Sequence, residues 1–148
     1  MADFNETDLQ QAYQMIKPAA VVATKGEHSY NLTPYGWIMP LDYEPVTKVI
    51  FSSDPSHQAV ANIKRTKEFA VCIPLRQDDP FIEQTGSVSD AKADKFKMFG
   101  IQGEKAEKVD VLLPKDKISG WIECRFVRSI TEGSVELIIG EAVAAYKR

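Results

Sequence analysis

With 148 residues the chain is long enough to bury its own hydrophobic core, and we expect residues 1–148 to form a single domain. Its formal net charge is −3, with acidic and basic residues mixed along the chain, so no continuous basic face favours nucleic-acid binding. Apolar runs are far shorter than the roughly 20 residues that span a bilayer, and the N-terminus lacks a leader pattern, which predicts a cytoplasmic protein without a membrane partner.

The N-terminal part of the sequence predicts a helix followed by two strands. Apolar residues recur at helical spacing through 7–16, and Pro18 ends that helix. Residues 19–24 are apolar and partly β-branched, which predicts a strand. A polar turn at 25–29 and a second strand at 31–38 are expected to follow.

The middle of the sequence predicts a strand, a helix and another strand. Two prolines within 39–45 exclude a central strand there, whereas 46–51 is rich in β-branched residues. Ser56 stands at the N-cap position of a segment with helical apolar spacing and basic residues at its C-terminal end, which predicts a helix. Residues 68–74 predict the next strand.

The signal weakens between residues 75 and 113, where only 91–99 has the spacing of a short amphipathic helix. Strands are predicted again at 120–129 and 135–146, joined as a hairpin by the turn signal at 131–134. About six strands against two or three short helices predict a mostly β fold, with an antiparallel sheet closed or nearly closed into a barrel. A parallel α/β fold is disfavoured because only one segment offers a convincing helical crossover.

Residues that carry chemistry by themselves are sparse. Cys72 and Cys124 lie among apolar, strand-like neighbours, which favours two buried thiols over a redox pair. Two cysteines and two histidines without clustered spacing predict no metal site. Nucleotide-binding glycine loops, zinc-protease motifs and serine-hydrolase motifs are missing from the sequence, so any reactivity is expected to come from a bound cofactor.

The first candidate site is the polar segment that leads into the helix predicted after Ser56. Backbone N–H groups at a helix start attract phosphate, and hydroxyls and an imidazole add donors. In the alternative interpretation the segment only makes a turn and a helix cap, with the imidazole in solvent. The candidate ligands are Ser52, Ser53, Ser56, His57 and Gln58.

The second candidate site is the segment 31–37, where aromatic residues, a proline and a glycine follow one another. Gly36 inside a strand would mark a bulge or a place where a flat ring lies against the main chain, with Tyr35 and Trp37 as its walls. The alternative is two core aromatic residues around a bulge. The candidate ligands are Asn31, Thr33, Pro34, Tyr35, Gly36 and Trp37.

Other polar residues are expected mainly at the surface. His28 belongs to a predicted turn, and a stretch of mixed charge contains Lys92, Lys95, Lys97 and Lys105. Among these lysines, Lys95 is the candidate that could approach an anionic cofactor.

A set of short motifs follows a fixed order through most of the chain. The motifs are Pro18, Val21-Val22-Ala23-Thr24, Asn31, Pro34-Tyr35-Gly36-Trp37, Glu44-Pro45, Ser52-Ser53, Asn62-Ile63, Glu68-Phe69-Ala70-Val71, Asp94-Lys95-Phe96, Glu123-Cys124 and Ile139-Gly140-Glu141-Ala142-Val143. No single motif is decisive, but the ordered set resembles the flavin reductase-like, FMN-binding split-barrel family, which includes flavoredoxin.

This resemblance implies a split β-barrel homodimer that holds one FMN per subunit, noncovalently and near the dimer interface. The segment 31–37 would present backbone groups to the isoalloxazine, and the polar segment before the helix would hold the phosphate and the ribityl chain. The implied activity is that of an oxidoreductase or a flavoredoxin-type electron carrier, with NAD(P)H or a small redox protein as donor and no side chain acting as acid or base.

Two alternatives to this activity stay open. The chain could be a non-catalytic barrel that binds flavin or has lost it, or a member of the related pyridoxamine-phosphate-oxidase-like split barrels, whose motif order it fits less well. Two departures from the family pattern bear on flavin binding: Gly36 stands where serine is common, and Ala59 where threonine is usual. Each removes a hydroxyl, at a cost of about 1 kcal/mol if that hydroxyl binds flavin in relatives.

Overall fold

The computed structural model describes residues 5, 6, 8, 10 and 19–147, so the helix predicted at 7–16 lies outside the described residues. The described part contains nine strands and three short α-helices. The strands are β1 (Ala20–Lys25), β2 (Tyr30–Tyr35), β3 (Ile38–Asp42), β4 (Lys48–Ser53), β5 (Glu68–Pro74), β6 (Gly103–Lys105), β7 (Leu112–Pro114), β8 (Ile118–Glu132) and β9 (Val135–Lys147). The helices are α1 (Gln58–Thr66), α2 (Pro80–Gly86) and α3 (Lys95–Met98).

Seven strands form one antiparallel sheet in the order β2-β1-β5-β8-β9-β4-β3, and β6 pairs with β7 separately. The sheet curls until its two ends approach each other. The contact shows this: the ring centroid of Tyr35 on β2 lies 4.5 Å from that of Phe51 on β4. The hydroxyls of Tyr35 and Ser53 are 2.8 Å apart across the same seam. The predicted mostly β, antiparallel, nearly closed barrel is therefore confirmed, with nine strands in place of about six.

The core inside this barrel follows from alternating side chains. On β4, Val49, Phe51 and Ser53 are buried and the residues between them are half-buried, as expected for a strand with one inward face. Helix α1 covers the barrel with Val60 and Ile63, which are 2% and 0% exposed. Strands β8 and β9 form a long hairpin whose turn lies within the predicted residues 131–134.

The start of α1 differs from the prediction. His57, not Ser56, occupies the N-cap position, and its side chain makes no capping hydrogen bond. The Ser56 hydroxyl instead donates to the carboxylate of Asp54 at 2.8 Å, because these side chains close the turn that precedes the helix. The prediction that Ser56 caps this helix was therefore wrong.

The strand predicted at 31–38 is divided in two. Strand β2 ends at Tyr35, and Gly36 and Trp37 form a bend before β3. The carbonyl of Trp37 accepts from the backbone N–H of Ser52 at 2.9 Å, which directs the chain toward β4. Strand β3 contains Pro40 and lies at the sheet edge, in agreement with the exclusion of a central strand there.

The region 75–113 departs most from expectation. The helix predicted at 91–99 was too long, since only α3 is helical there. The Asp94 carboxylate accepts from the backbone N–H of Lys97 at 3.2 Å and starts the helix, while Asp90 closes a turn just before it. Helix α2 and the short pair β6 and β7 were not predicted.

Both cysteines are free and buried, as the sequence predicted. Burial raises the pKa of the Cys124 thiol to about 12 and that of Cys72 further still, so neither is a reactive thiolate at neutral pH. Within residues 19–147 and the few described before them, we find no helix of the length and apolarity needed to cross a membrane.

Candidate functional site

Two cavities meet at His57. The first, called here the main cavity, has a volume of about 410 Å³ and opens between the ends of the sheet. Its walls are Pro34, Tyr35, Gly36, Trp37, Ser52, Ser53, Asp54, His57, Ser134 and Val135. The second, called here the cleft, measures about 30 Å³. Its walls are Asn31, Thr33, His57, Gln58, Thr85, Gly86, Val88, Ser89 and Lys95.

The structure brings together eleven of the twelve residues proposed as ligands from the sequence. Seven of them line the main cavity and five the cleft, with His57 in both. The exception is Ser56, which is exposed and lines neither cavity. Two sequence segments that were considered separately therefore form one continuous site.

A cluster of hydroxyls and an imidazole forms one wall of the main cavity. The Nδ1 of His57 lies 3.3 Å from the Oγ of Ser53 and 3.4 Å from the Oη of Tyr35. Burial raises the pKa of Tyr35 to about 12; the hydrogen bond with Ser53 opposes this shift, and the Asp54 carboxylate adds to it. Tyr35 is therefore a neutral phenol at any physiological pH.

Another part of the wall of the main cavity is the bend between β2 and β3. Of the two interpretations of Gly36, a bulge inside a strand is wrong, because β2 ends at Tyr35 and Gly36 lies in the bend. A Cβ added to Gly36 would meet no atom within 4 Å, so the main chain here faces open space. The Trp37 side chain is 46% exposed beside it. The site thus offers an accessible main chain next to an aromatic surface.

The tip of the β8–β9 hairpin completes the main cavity through Ser134 and Val135, which the sequence analysis did not single out. The turn signal located the hairpin, but nothing in the local pattern shows that its tip folds against the bend at Gly36. This proximity depends on the curvature of the whole sheet.

Lys95 is buried in the cleft, although it was expected mainly at the surface. It is 4% exposed, and its Nζ donates to the main-chain carbonyls of Leu32 and Thr85, both at 2.7 Å. Burial lowers the pKa of Lys95 to about 8, because neither acceptor carries a compensating negative charge. His28, Lys92, Lys97 and Lys105 are exposed, as predicted.

Helix α2 closes the cleft from the other side, and this part of the wall was missed from the sequence. A Cβ on Gly86 would lie 2.8 Å from Cγ of Pro34, so a glycine is needed where α2 meets β2. Thr85 and Ser89 add hydroxyls near Lys95. The signal that could have located α2 is Asp79-Pro80, a helix-start pattern in which the Asp79 carboxylate accepts from Phe81 N–H at 3.0 Å.

The start of α1 faces the same cleft through His57 and Gln58. No side chain caps this helix, and Val60 N–H donates to the carbonyl of His57 at 3.0 Å, so the backbone N–H groups of Gln58 and Ala59 are the ones that an anion could reach. The Asp54 carboxylate is engaged by the N–H and hydroxyl of Ser56, which lower its pKa and hold it within the turn. The cleft therefore has donors and a cation on two sides and no carboxylate in its lining.

The described part of the chain contains no group of three or more histidine, cysteine, aspartate or glutamate side chains placed to hold a metal ion.

Comparison with known families gives one match that covers nearly the whole chain. The model of the family described as "Flavin reductase like domain" matches residues 12–148. Among individual proteins, the uncharacterized protein YddH of Escherichia coli K12 is 26% identical over 150 residues, covering 98% of this chain and 79% of YddH.

Three solved structures share the fold. A split-barrel-domain protein from Shewanella frigidimarina has a TM-score of 0.82 at 18% identity, covering 99% of this chain and 76% of its own. An FMN-binding protein from Thermus thermophilus has a TM-score of 0.80 at 20% identity, covering 97% and 78%. Flavoredoxin from Methanosarcina acetivorans has a TM-score of 0.77 at 22% identity, covering 88% and 68%. The fold of this chain is therefore a split barrel.

Proposed function

The chain belongs to the flavin reductase-like family, and we propose that it is a flavoprotein that holds FMN noncovalently and works as an oxidoreductase or electron carrier. Two proteins of the same fold support this proposal, because one is an FMN-binding protein and the other is a flavoredoxin. The site itself supports the proposal independently, and the steps below depend on its residues.

The observation that carries the proposal is the convergence of eleven candidate ligands on two cavities that share His57. The main cavity, at about 410 Å³, is within the range of about 300–1,000 Å³ that is usual for small-molecule sites. The cleft, at about 30 Å³, has room for about two oxygen-sized atoms. A wide compartment joined to a narrow polar one suits a flat ring with a phosphate-bearing side chain.

The phosphate end of the ligand is assigned to the cleft. Its lining includes the Lys95 ammonium, the uncapped start of α1 and side-chain donors from Asn31 and Thr33. A buried ammonium with only neutral acceptors is unfavourable, and an anion beside it would offset that cost. The cleft is therefore chemically matched to the oxygens of a phosphate monoester, one or two of which its volume of about 30 Å³ would admit.

The ring end is assigned to the main cavity, beside the Gly36–Trp37 bend and the Ser52–Ser53 end of β4. Bound FMN would supply hydride- and electron-transfer chemistry at its ring. The chain's own residues bind the ring, orient it and exclude water. Tyr35, with its pKa at about 12, serves as a neutral hydrogen-bonding group and not as a base.

The proposal extends to the electron donor of the bound flavin. We expect NAD(P)H, or else a small redox protein, to reduce the bound flavin. The test is anaerobic addition of NADH and of NADPH to the FMN-loaded protein, followed by visible absorbance. Bleaching by either nicotinamide supports a reductase, and bleaching only by a reduced redox protein supports a carrier. Failure of every donor to reduce bound FMN would leave the non-catalytic alternative.

A second copy of the chain is the partner that fits an exposed apolar face on and beside β3. Met39, Leu41, Tyr43 and Val46 are 56%, 42%, 80% and 39% exposed. They adjoin an apolar groove of about 250 Å³, which would be buried in a homodimer. The variant Met39→Lys/Leu41→Lys should be monomeric by light scattering, whereas Met98→Lys, at an exposed methionine outside this groove, should stay dimeric. A monomeric wild type would contradict this part of the proposal.

A further inference from the structure

The charged side chains of the site are divided between its two cavities. The lining of the cleft contains the Lys95 ammonium and no carboxylate. Among the described residues, the lining of the main cavity contains the Asp54 carboxylate and neither lysine nor arginine. The remaining polar side chains of the main cavity are four hydroxyls and an imidazole, from Tyr35, Ser52, Ser53, Ser134 and His57. The main cavity therefore has a carboxylate at its wall without a lysine or arginine to balance it.

The Asp54 carboxylate is held in place through one of its two oxygens. Its Oδ1 accepts from the backbone N–H of Ser56 at 2.9 Å and from the Ser56 hydroxyl at 2.8 Å. No hydrogen bond to Oδ2 is found among the described residues, and the side chain is exposed. Both hydrogen bonds favour the ionised form and lower the pKa of Asp54. At neutral pH the main cavity thus has a fixed negative charge on its wall.

The negative charge of Asp54 acts inside the main cavity. Burial is the main cause that raises the pKa of Tyr35 to about 12, the hydrogen bond with Ser53 opposes it, and the charge of Asp54 adds to it. This addition arises because a phenolate at Tyr35 would be repelled by the carboxylate. An anionic ligand that enters the same cavity would meet the same repulsion.

The tip of the β8–β9 hairpin, which forms another part of this wall, does not neutralise Asp54. Lys64, in the last turn of α1, is paired with the carboxylate of Glu136 on β9. Glu132 pairs in register with Val135 and is exposed, but it does not line the cavity. The charge of the tip is therefore negative as well, and Glu132 is an acidic residue near the cavity with which Asp54 can be compared.

We propose that the second substrate of the main cavity, which exchanges electrons with the flavin ring, is a planar compound that is uncharged or cationic where it enters, and that Asp54 is the residue that disfavours anionic ones. The inference rests on the proposed function, since it concerns the same site. The reacting atoms of two substrates must come within about 3–3.5 Å of each other, so the second substrate has to enter the cavity that Asp54 lines. The reduced nicotinamide ring is itself uncharged, which agrees with NAD(P)H as donor and places its phosphates outside the main cavity.

The test uses the FMN-loaded, oxidised protein and three redox-inert compounds of nearly the same shape. Benzamide is uncharged, benzoate is an anion and benzamidine is a cation. Their binding at low ionic strength is followed by the change in the visible absorbance of the bound flavin. We expect benzamidine to bind more tightly than benzamide, and benzamide more tightly than benzoate, in steps of about two- to fivefold, as is usual for an exposed charge. Salt at about 1 M should bring the three affinities together, because it screens the charge.

Asp54→Asn keeps the shape of the side chain and an oxygen that accepts from Ser56, but it removes the charge. This variant should bind benzoate about two- to fivefold more tightly and benzamidine more weakly by a similar factor, with benzamide unchanged. Glu132→Gln is the matched control, because it makes the same change in net charge at an exposed position outside the lining. It should change the three affinities less than Asp54→Asn does.

Equal affinities of the three compounds for wild type would overturn the inference while leaving the proposed function intact. Selectivity that persists in a folded Asp54→Asn protein, or equal effects of Asp54→Asn and Glu132→Gln, would assign the selectivity to other charges and also overturn it. If none of the three compounds binds beside FMN, the main cavity does not admit a second ring and the inference is wrong. Absence of FMN binding would instead remove the proposed function itself.

Discussion

The hydroxyls of Tyr35 and Ser53 lie 2.8 Å apart and join the two ends of the curled sheet, on the wall of the main cavity. Replacing Ser53 with alanine removes the oxygen that both Tyr35 and His57 contact. We expect Ser53→Ala to fold and to bind FMN about fivefold more weakly, the size of one lost hydrogen bond. Fluorescence titration with FMN measures this change.

Ser56→Ala is the matched control for that prediction. Its hydroxyl lies outside both cavities on the Asp54 carboxylate, so its loss should affect FMN affinity less than loss of Ser53. An equal or larger effect at Ser56 would mean that the ligand reaches the turn before α1 and would contradict the assignment of the cavity wall.

Lys95→Met keeps the length of the side chain but removes its charge from the cleft. We expect FMN affinity to fall by about 10- to 100-fold, because a charge-assisted hydrogen bond to phosphate is lost, and riboflavin affinity to stay the same. The exposed neighbour Lys97→Met serves as the control and should change neither affinity. Equal weakening of FMN and riboflavin would place Lys95 away from the phosphate.

The same lysine predicts a pH dependence of the protein without ligand. Burial lowers the pKa of Lys95 from 10.5 to about 8, so between these values the unfolded chain binds more protons than the folded one. The Lys95 contribution to the free energy of unfolding is therefore least favourable below pH 8 and improves as the pH rises toward 10.5. Denaturant titrations at pH 7.5 and 9.5 should show wild type gaining stability relative to Lys95→Met. A pH-independent difference would contradict the depressed pKa.

Gly36→Ser restores a hydroxyl that is common in the family. A Cβ at Gly36 meets no atom within 4 Å, so the variant should fold normally and bind FMN up to about fivefold more tightly. Ala59→Thr is expected to behave differently, because Ala59 lies on the buried face of α1 and is 0% exposed. Overpacking there should cost about 1–3 kcal/mol of stability. Denaturant titration of both variants, with FMN titration of the first, separates these outcomes; a destabilised Gly36→Ser would contradict the open space.

Glu123 anchors the loop before β7 from the inside of the fold. Its carboxylate accepts from the backbone N–H groups of Glu107, Lys108 and Val109 and from the indole of Trp121, at 2.6–3.0 Å. Burial raises the pKa of Glu123, but these four hydrogen bonds outweigh it and leave the pKa below its usual value. Its stabilisation is therefore present at neutral pH and lost as the pH falls through the lowered pKa.

We expect Glu123→Gln to reduce the free energy of unfolding by roughly 2–4 kcal/mol at pH 7, because an amide cannot accept from all four donors. Denaturant titration measures this loss, and the exposed Glu104→Gln is the control. The difference in the free energy of unfolding between wild type and Glu123→Gln should become smaller in acid, as the carboxylate of wild type is protonated. A neutral effect at pH 7 would mean that the loop does not depend on the carboxylate.

Elements with strong local signals were predicted well. Strand β5 has the predicted bounds, Glu68–Pro74, because its run of apolar and β-branched residues follows the charged end of α1 and stops at Pro74. The β8–β9 hairpin was located by its turn residues, and Gly133 indeed has the left-handed φ of 57° that favours glycine. The helix after the turn at Asp54 was predicted, but its cap was displaced by one residue to His57.

The parts that failed depend on contacts between distant residues. Lys95 looked like a solvated lysine in a charged stretch, yet its burial follows from acceptors at Leu32 and Thr85, one of them 63 positions away. Strands β6 and β7 have three residues each and exist only through their pairing. For the site, the sequence indicated the two wall segments but not their junction at His57, which the curvature of the sheet creates.

The most direct test of the central claim is the visible absorbance of the purified protein, followed by titration of the flavin-free form with FMN and riboflavin in parallel. The proposed function predicts saturable, one-to-one binding of FMN with the spectrum of an oxidised flavin, tighter than riboflavin by the contribution of the phosphate in the cleft. A protein that is colourless as purified and does not bind FMN at micromolar concentrations would contradict it.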